Sequence, residues 1–107
     1  MSIRVPPKRI RERFHVIYEL EGCRKAVDFL TAYYCVERMQ IILDGRKVGN
    51  GFIAQYFENK AIFTKSGLRK RTVLHELYHH LVKEKGVELA NRLEERQAIS
   101  YASQFLR

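Results

Sequence analysis

Apolar side chains recur every three or four residues between residues 67 and 85, which is the spacing of one face of an α-helix. The apolar positions are Val73, Leu74, Leu77, Leu81 and Val82, with Tyr78 at the border of this face. Ser66 is suited to cap the start of such a helix, and Gly86 is suited to end it. The pattern predicts an amphipathic helix with one buried face and one polar face.

The first third of the chain gives a less distinct pattern. Residues 10–20 fit a strand, through the alternation of Phe14, Val16, Tyr18 and Leu20, and they also fit a helix through Ile10, Phe14, Ile17 and Leu20. From Gly22 onwards the spacing becomes helical, and we expect this N-terminal helix to end at Glu37 or Arg38. Residues 1–9 are basic and contain Pro6 and Pro7, so we expect them to form an extended or mobile tail.

Short apolar runs at residues 39–43, 52–57 and 61–64 predict three strands. Turn signals close the first run at Asp44-Gly45 and precede the second at residues 49–51. The tight connection Glu58-Asn59 predicts a hairpin between the second and third runs. A last amphipathic pattern at residues 88–106 predicts a closing helix. The fold class is therefore α+β, one domain over residues 1–107 with a small antiparallel or mixed three-stranded sheet.

The polar face of the helix at residues 67–85 carries the motif His75-Glu76-x-x-His79. Residues four apart lie one above the other on a helix, so His75 and His79 can direct two imidazoles at one point. Two such nitrogens suit a zinc ion. Glu76 lies about 100° round the helix, so it is placed to take a proton from a metal-bound water rather than to bind the metal. This division of roles is typical of zinc metallopeptidases.

A catalytic zinc site commonly has three protein ligands, and the motif itself does not identify the third. His80 lies about 140° round the helix from His75, which favours a border position, and His15 is far upstream. The closing helix offers Glu94 and Glu95, and Ala98 one turn later allows a close approach to the helix that carries the motif. Periodicity does not choose between these two glutamates.

Composition limits the remaining classes of function. The net charge is +8, concentrated at residues 4–13 and 65–71, which suits an acidic or nucleic-acid partner or simply solubility. No apolar run reaches the ~18 residues of a membrane span, and the start has no apolar signal region, so a cytoplasmic protein without a membrane span is expected. Cys23 and Cys35 would lie about 18 Å apart if both were on the N-terminal helix, so they would not pair, and we interpret them as small core residues with free thiols.

Several motifs occur in an order that resembles the gluzincin metallopeptidases. The segments Asn50-Gly-Phe-Ile-Ala54, Ala61-Ile-Phe-Thr64 and Gly67-Leu68, followed by the His75 motif, resemble the catalytic core of the membrane-embedded CAAX prenyl proteases and their bacterial heat-shock relatives. The third zinc ligand of those proteins begins a Glu-x-x-Ala motif, which is similar to Glu95-Arg-Gln-Ala98. This chain lacks their transmembrane helices, and in size it is similar to the minigluzincins, the soluble minimal versions of that core.

The resemblance implies a zincin-like fold and a zinc ion held by His75, His79 and Glu95. It also implies that the strand from Gly51 to Tyr56 forms the rim of a cleft, with Gly51, Phe52, Ile53 and Ala54 binding an extended peptide. The chain departs from the pattern at two positions. Gly51 stands where the family prefers Ala, and Ile99 stands where an Asp or Asn often follows the Glu-x-x-Ala motif.

These observations predict a zinc metallopeptidase with one Zn²⁺ per chain and Glu76 as general base. The residue that would donate a hydrogen bond to the carbonyl oxygen of the substrate is not identified. The first candidates are His80 and Tyr101, beside Tyr78, Arg92 and Arg96. Little chain follows Glu95, so a second copy of the chain could complete the cleft, or a chain end could fill it and keep the enzyme latent, as the minigluzincins suggest. Two alternatives are kept, a non-catalytic zinc-binding regulatory domain and a basic nucleic-acid-binding module.

Overall fold

The computed structural model describes residues 3–44, 46, 54–65 and 67–107. Over these residues the chain forms four helices and a three-stranded mixed sheet, in the order α1 (Lys8–Glu21), α2 (Cys23–Tyr33), β1 (Gln40–Leu43), β2 (Ala54–Phe57), β3 (Lys60–Phe63), α3 (Lys70–Glu84) and α4 (Asn91–Phe105). The predicted α+β class and the three-stranded sheet are confirmed. No helix within the described residues is both long and apolar enough to cross a membrane.

The ambiguous segment at residues 10–20 is helical, so the chain begins with two helices where one was predicted. Val16, which only the alternating pattern placed on the buried face, is exposed, whereas Ile17, which only the helical pattern placed there, packs against the core. Leu20, which both patterns included, is exposed. Gly22 separates α1 from α2 with a φ of +97°, a value that L side chains rarely adopt. The glycine was therefore the start signal of the second helix and the stop signal of the first.

Helix α2 ends at Tyr33, earlier than the predicted end at Glu37 or Arg38. Cys35, just beyond the helix, has a φ of +59°, a conformation that is incompatible with continuing the helix. Cys23 and Cys35 therefore do not share one helix, which corrects the reasoning about their separation. Both thiols are free, as expected. The prediction that they are core residues is wrong for Cys35, which is exposed, whereas Cys23 is partly buried against the core.

The sheet has the order β1-β3-β2, with β1 parallel and β2 antiparallel to β3. Glu58 and Asn59 connect β2 to β3 with φ values of +49° and +64°, the left-handed pair that a two-residue hairpin turn requires. The predicted hairpin is thus confirmed. Strand β2 lies at one edge of the described sheet. At the opposite edge, Arg24 donates a hydrogen bond to the carbonyl of Ile41 at 3.0 Å.

Helix α3 is the centre of the core. All the residues predicted for its apolar face are buried, including Tyr78. The helix begins at Lys70, slightly later than predicted, and the proposed capping residue Ser66 lies outside the described residues. At the other end Gly86 adopts a φ of +66°, and the amides of Gly86 and Val87 donate to the carbonyls of Lys83 and Val82. This is a Schellman termination, so Gly86 ends the helix as predicted.

Helix α4 packs along α3 through small side chains. Ala98 and Ala102 are essentially inaccessible to solvent, and the absence of bulk at these positions allows the two backbones to approach closely. Phe105, near the end of α4, contacts Phe14 of α1 edge to face with a centroid separation of 5.1 Å. The close approach of α4 brings its first turns against the polar face of α3.

The segment before α1 is held against the body of the protein. The Tyr34 hydroxyl donates to the carbonyl of Arg4 at 2.8 Å, and the Arg11 guanidinium donates to the carbonyl of Pro6 at 2.7 Å. Ile3 and Val5 are partly buried against the core. Residues 3–7 are non-helical, and α1 begins at Lys8, inside the predicted basic tail at residues 1–9.

Candidate metal centre

His75 and His79 lie on the polar face of α3, one helical turn apart. Their ring centroids are 5.1 Å apart, and both side chains keep some contact with solvent. Burial lowers the pKa of His75, an effect that the nearby Glu95 carboxylate opposes. Burial therefore favours the neutral imidazole, which is the form that binds metal ions.

Glu95 reaches the same point from α4. Its two carboxylate oxygens lie 3.1 Å from Nε2 of His75 and 2.7 Å from Nε2 of His79. One ligand atom from each of His75, His79 and Glu95 can be chosen so that all lie within 4.8 Å of one another. Ligands at the usual zinc distances are separated by roughly 3.3 Å in a tetrahedral site. The three predicted ligands are thus brought together with a spacing that could hold one metal ion.

Glu94 contacts the other nitrogen of His79. Its Oε2 lies 2.5 Å from Nδ1 of His79, on the opposite side of the ring from Glu95. The two glutamates that periodicity could not separate therefore occupy different places. Glu95 spans both imidazoles, whereas Glu94 contacts only the outer nitrogen of one of them.

Glu76 follows His75 and lies beside the cluster, nearly inaccessible to solvent. Burial raises the pKa of Glu76 from 4.5 to about 7, an effect that His79 opposes and Glu95 reinforces. Its Oε2 atom is buried, and no hydrogen-bond partner for it occurs in the described part of the chain. A carboxylate with a pKa near neutrality and an uncommitted oxygen is suited to accept and return a proton.

A cleft of about 460 Å³ opens over this cluster. One wall is strand β2, from Ala54 to Phe57, and the other consists of the polar face of α3 and the first turn of α4. Three carboxylates line the cleft, so it is acidic in a chain whose net charge is +8. Ala54 lines the cleft, whereas Gly51, Phe52 and Ile53, the other residues that the resemblance implied for peptide binding, lie outside the described residues.

His80 and Tyr101, the named candidates for an oxyanion donor, do not line this cleft. His80 is fully buried; its Nε2 donates to the carbonyl of Glu37 at 2.6 Å, and its Nδ1 shares a hydrogen bond with the Tyr56 hydroxyl at 2.8 Å. The Tyr101 hydroxyl lies 2.8 Å from that of Tyr34. Since Tyr34 donates to a carbonyl, Tyr101 donates to Tyr34.

The remaining donor candidates are also away from the cleft. The Tyr78 hydroxyl donates to Gln97 at 2.6 Å, and neither Arg92 nor Arg96 lines the cleft. Ile3, Arg4 and Val5 line a different cavity, beside Tyr78 and Tyr101. No residue described at either chain end lines the cleft.

Two features of the site were missed by the sequence reasoning. One is Phe57, which lies at the end of β2, lines the cleft and is 65% exposed; its place as the last residue of the predicted strand was a usable signal. The other is the contact of Glu94 with His79. Ile99, one of the two departures from the resembled motif, is an exposed apolar side chain that cannot accept a hydrogen bond.

Comparisons of the chain with protein-family models, with curated proteins and with solved structures found no match. What supports a function for this chain is therefore the geometry of its own residues.

Proposed function

We propose that this protein is a zinc-dependent peptidase of the minigluzincin kind. The observation that carries the proposal is the convergence of His75, His79 and Glu95 within 4.8 Å, beside the buried carboxylate of Glu76. A group of side chains that could hold a metal ion would by itself be compatible with many functions. A cluster with an adjacent buried carboxylate, one oxygen of which has no hydrogen-bond partner among the described residues, suits hydrolysis.

The donor set fits zinc. Two imidazole nitrogens and one carboxylate are a common protein ligand set for catalytic zinc, which leaves a coordination position for water. His75, His79 and Glu95 would hold one ion per chain. A zinc ion at this site would lower the pKa of a water molecule and polarise the scissile carbonyl.

Glu76 is the proposed general base. It accepts a proton from the attacking water and later returns it to the leaving amine, and both transfers are easiest when the pKa of the carboxyl is close to the working pH. The buried Oε2 has no hydrogen-bond partner in the described part of the chain, which supports this role, since a carboxylate held only for structure would be hydrogen-bonded.

The proposed substrate is an extended peptide lying along β2. This strand is at the edge of the described sheet and forms one wall of the cleft. An extended peptide can bind such an edge through backbone hydrogen bonds, with side-chain pockets adding selectivity. Latency, a role for a second copy of the chain and a cytoplasmic location remain part of this proposal.

Metal content tests the site. Elemental analysis of protein prepared with zinc available is expected to give about one zinc per chain, with loss in Glu95→Ala and retention in Glu88→Ala. Glu88 is a matched control because it is an exposed carboxylate just before α4. Wild-type protein that holds no zinc would contradict the proposal.

Activity tests the chemistry. In a peptide-library assay, Glu76→Gln is expected to lower turnover by about 10²–10⁴-fold while the zinc content stays near one per chain. A wild-type protein that binds zinc but cleaves no peptide would favour the non-catalytic zinc domain or a latent form. Steeply salt-dependent binding to nucleic acid without cleavage would favour the basic nucleic-acid-binding module.

A further inference from the structure

We propose that Glu94 is a positioning residue, which fixes the orientation and the protonation pattern of His79. The inference rests on the proposed zinc site but adds a role that the ligand set does not contain. Its basis is the pair of contacts on one ring, with Glu94 at 2.5 Å from Nδ1 and Glu95 at 2.7 Å from Nε2.

The chemistry of the two groups determines which one donates in the hydrogen bond between Glu94 and His79. A carboxylate without a proton can only accept hydrogen bonds, so the contact with Glu94 requires a proton on Nδ1 of His79. With zinc on Nε2, the ring would carry its one proton on Nδ1, which is the atom that contacts Glu94. The Nε2 atom is the one that lies among the other proposed ligand atoms.

The start of α4 places Glu94 for this task. Glu94 lies in the first turn of the helix, where the helix dipole stabilises a negative charge. The Glu94 side chain is 24% exposed and that of His79 is 12% exposed, so the pair is largely shielded from competing water. Because Glu94 and Glu95 are consecutive on α4, one helix start supplies both the proposed ligand and the group that orients another ligand.

A group that hydrogen-bonds a metal-ligating histidine affects how tightly the metal is bound. Removing the group that hydrogen-bonds a ligating histidine commonly weakens metal affinity by about 10–100-fold, because the free ring can rotate and adopt the other tautomer. The Glu94 contact is therefore expected to contribute to zinc affinity even though Glu94 need not touch the metal.

The test is the zinc dissociation constant, measured by competition with a chromophoric chelator on the full chain. Glu94→Ala is expected to bind zinc about 10–100-fold more weakly than wild type. Glu94→Gln, whose amide oxygen can still accept from Nδ1, is expected to fall between them, and Glu88→Ala to match wild type. Circular dichroism checks folding, and if Glu94→Ala does not fold, the comparison of Glu94→Gln with wild type decides.

A second readout follows the ring itself. In ¹⁵N NMR spectra of the zinc-loaded wild type, His79 is expected to show a protonated, slowly exchanging Nδ1 and a metal-bound Nε2. In Glu94→Ala the exchange of the Nδ1 proton is expected to accelerate, which a merely structural role of Glu94 would not cause.

The outcomes separate this inference from the proposed function. If wild type binds zinc and Glu94→Ala binds it within about twofold with an unchanged His79 spectrum, the role of Glu94 is overturned and the zinc site stands. If wild type binds no zinc, the proposed function fails and the role of Glu94 fails with it.

Discussion

The two sides of helix α3 carry adjacent histidines with opposite surroundings. On the cleft side, both nitrogens of His79 contact carboxylates that come from α4. On the core side, His80 is fully buried, and its nitrogens contact the carbonyl of Glu37 and the hydroxyl of Tyr56. One residue along a helix is a rotation of about 100°, and here it separates an environment that could hold a metal ion from a structural one.

The difference teaches that the partners, rather than the residue type, decide what a histidine does. Carboxylates beside an imidazole attract a cation, so the cleft side of α3 suits a metal ion. A carbonyl and a hydroxyl satisfy the hydrogen bonds of a buried ring and connect α3 to the segment after α2 and to β2.

Replacing His80 is expected to damage the fold and spare the site. His80→Ala should lower the free energy of unfolding by about 4 kcal/mol, because it leaves a cavity and removes the partner of the Glu37 carbonyl. His79→Ala, measured in chelator, should cost less, since both glutamates that contact His79 can reach water. Denaturant unfolding and zinc content measure the two effects.

The opposite pattern would contradict this contrast. If His80→Ala abolished zinc binding at unchanged stability, the core-side histidine would belong to the metal site.

Glu76 should make the stability of the metal-free protein depend on pH. Its pKa is about 7 in the folded protein and near 4.5 when unfolded, so its ionisation disfavours the folded state increasingly as pH rises from 4.5 to 7. Glu76→Gln should therefore stabilise the protein by about 3 kcal/mol at pH 8, since each unit of pKa corresponds to 1.36 kcal/mol. At pH 4 the two proteins should differ little.

The measurement is denaturant unfolding of both proteins in chelator across pH 4–8. Equal stability at pH 8 would mean that the buried carboxylate is solvated or paired and carries no raised pKa. Glu88→Gln is the control, because Glu88 is exposed.

Removing the Tyr101 hydroxyl should have the smallest effect. Tyr101→Phe loses the hydrogen bond to Tyr34, and is expected to lower the free energy of unfolding by about 1 kcal/mol. Zinc content and any peptidase activity should be unchanged, because Tyr101 does not line the cleft. A hundredfold loss of activity at near-normal stability would return Tyr101 to the list of oxyanion donors.

Local signals in the sequence were enough for α3 and the hairpin. The apolar face of α3, its end at Gly86 and the turn at Glu58-Asn59 depend on spacing and on left-handed backbone positions, which neighbouring residues specify. The same helical spacing placed His75, Glu76 and His79 on the polar face. These features need no information about the rest of the chain.

Tertiary contacts decided the rest. Residues 10–20 fitted two periods equally, and only the tertiary packing, which covers Ile17 and leaves Val16 exposed, shows which face is buried. The separate places of Glu94 and Glu95, and the burial of His80, depend on how α4, β2 and the segment after α2 lie around α3. A sequence pattern gives the direction of a side chain from its own helix, whereas the atoms that it meets there belong to distant parts of the chain.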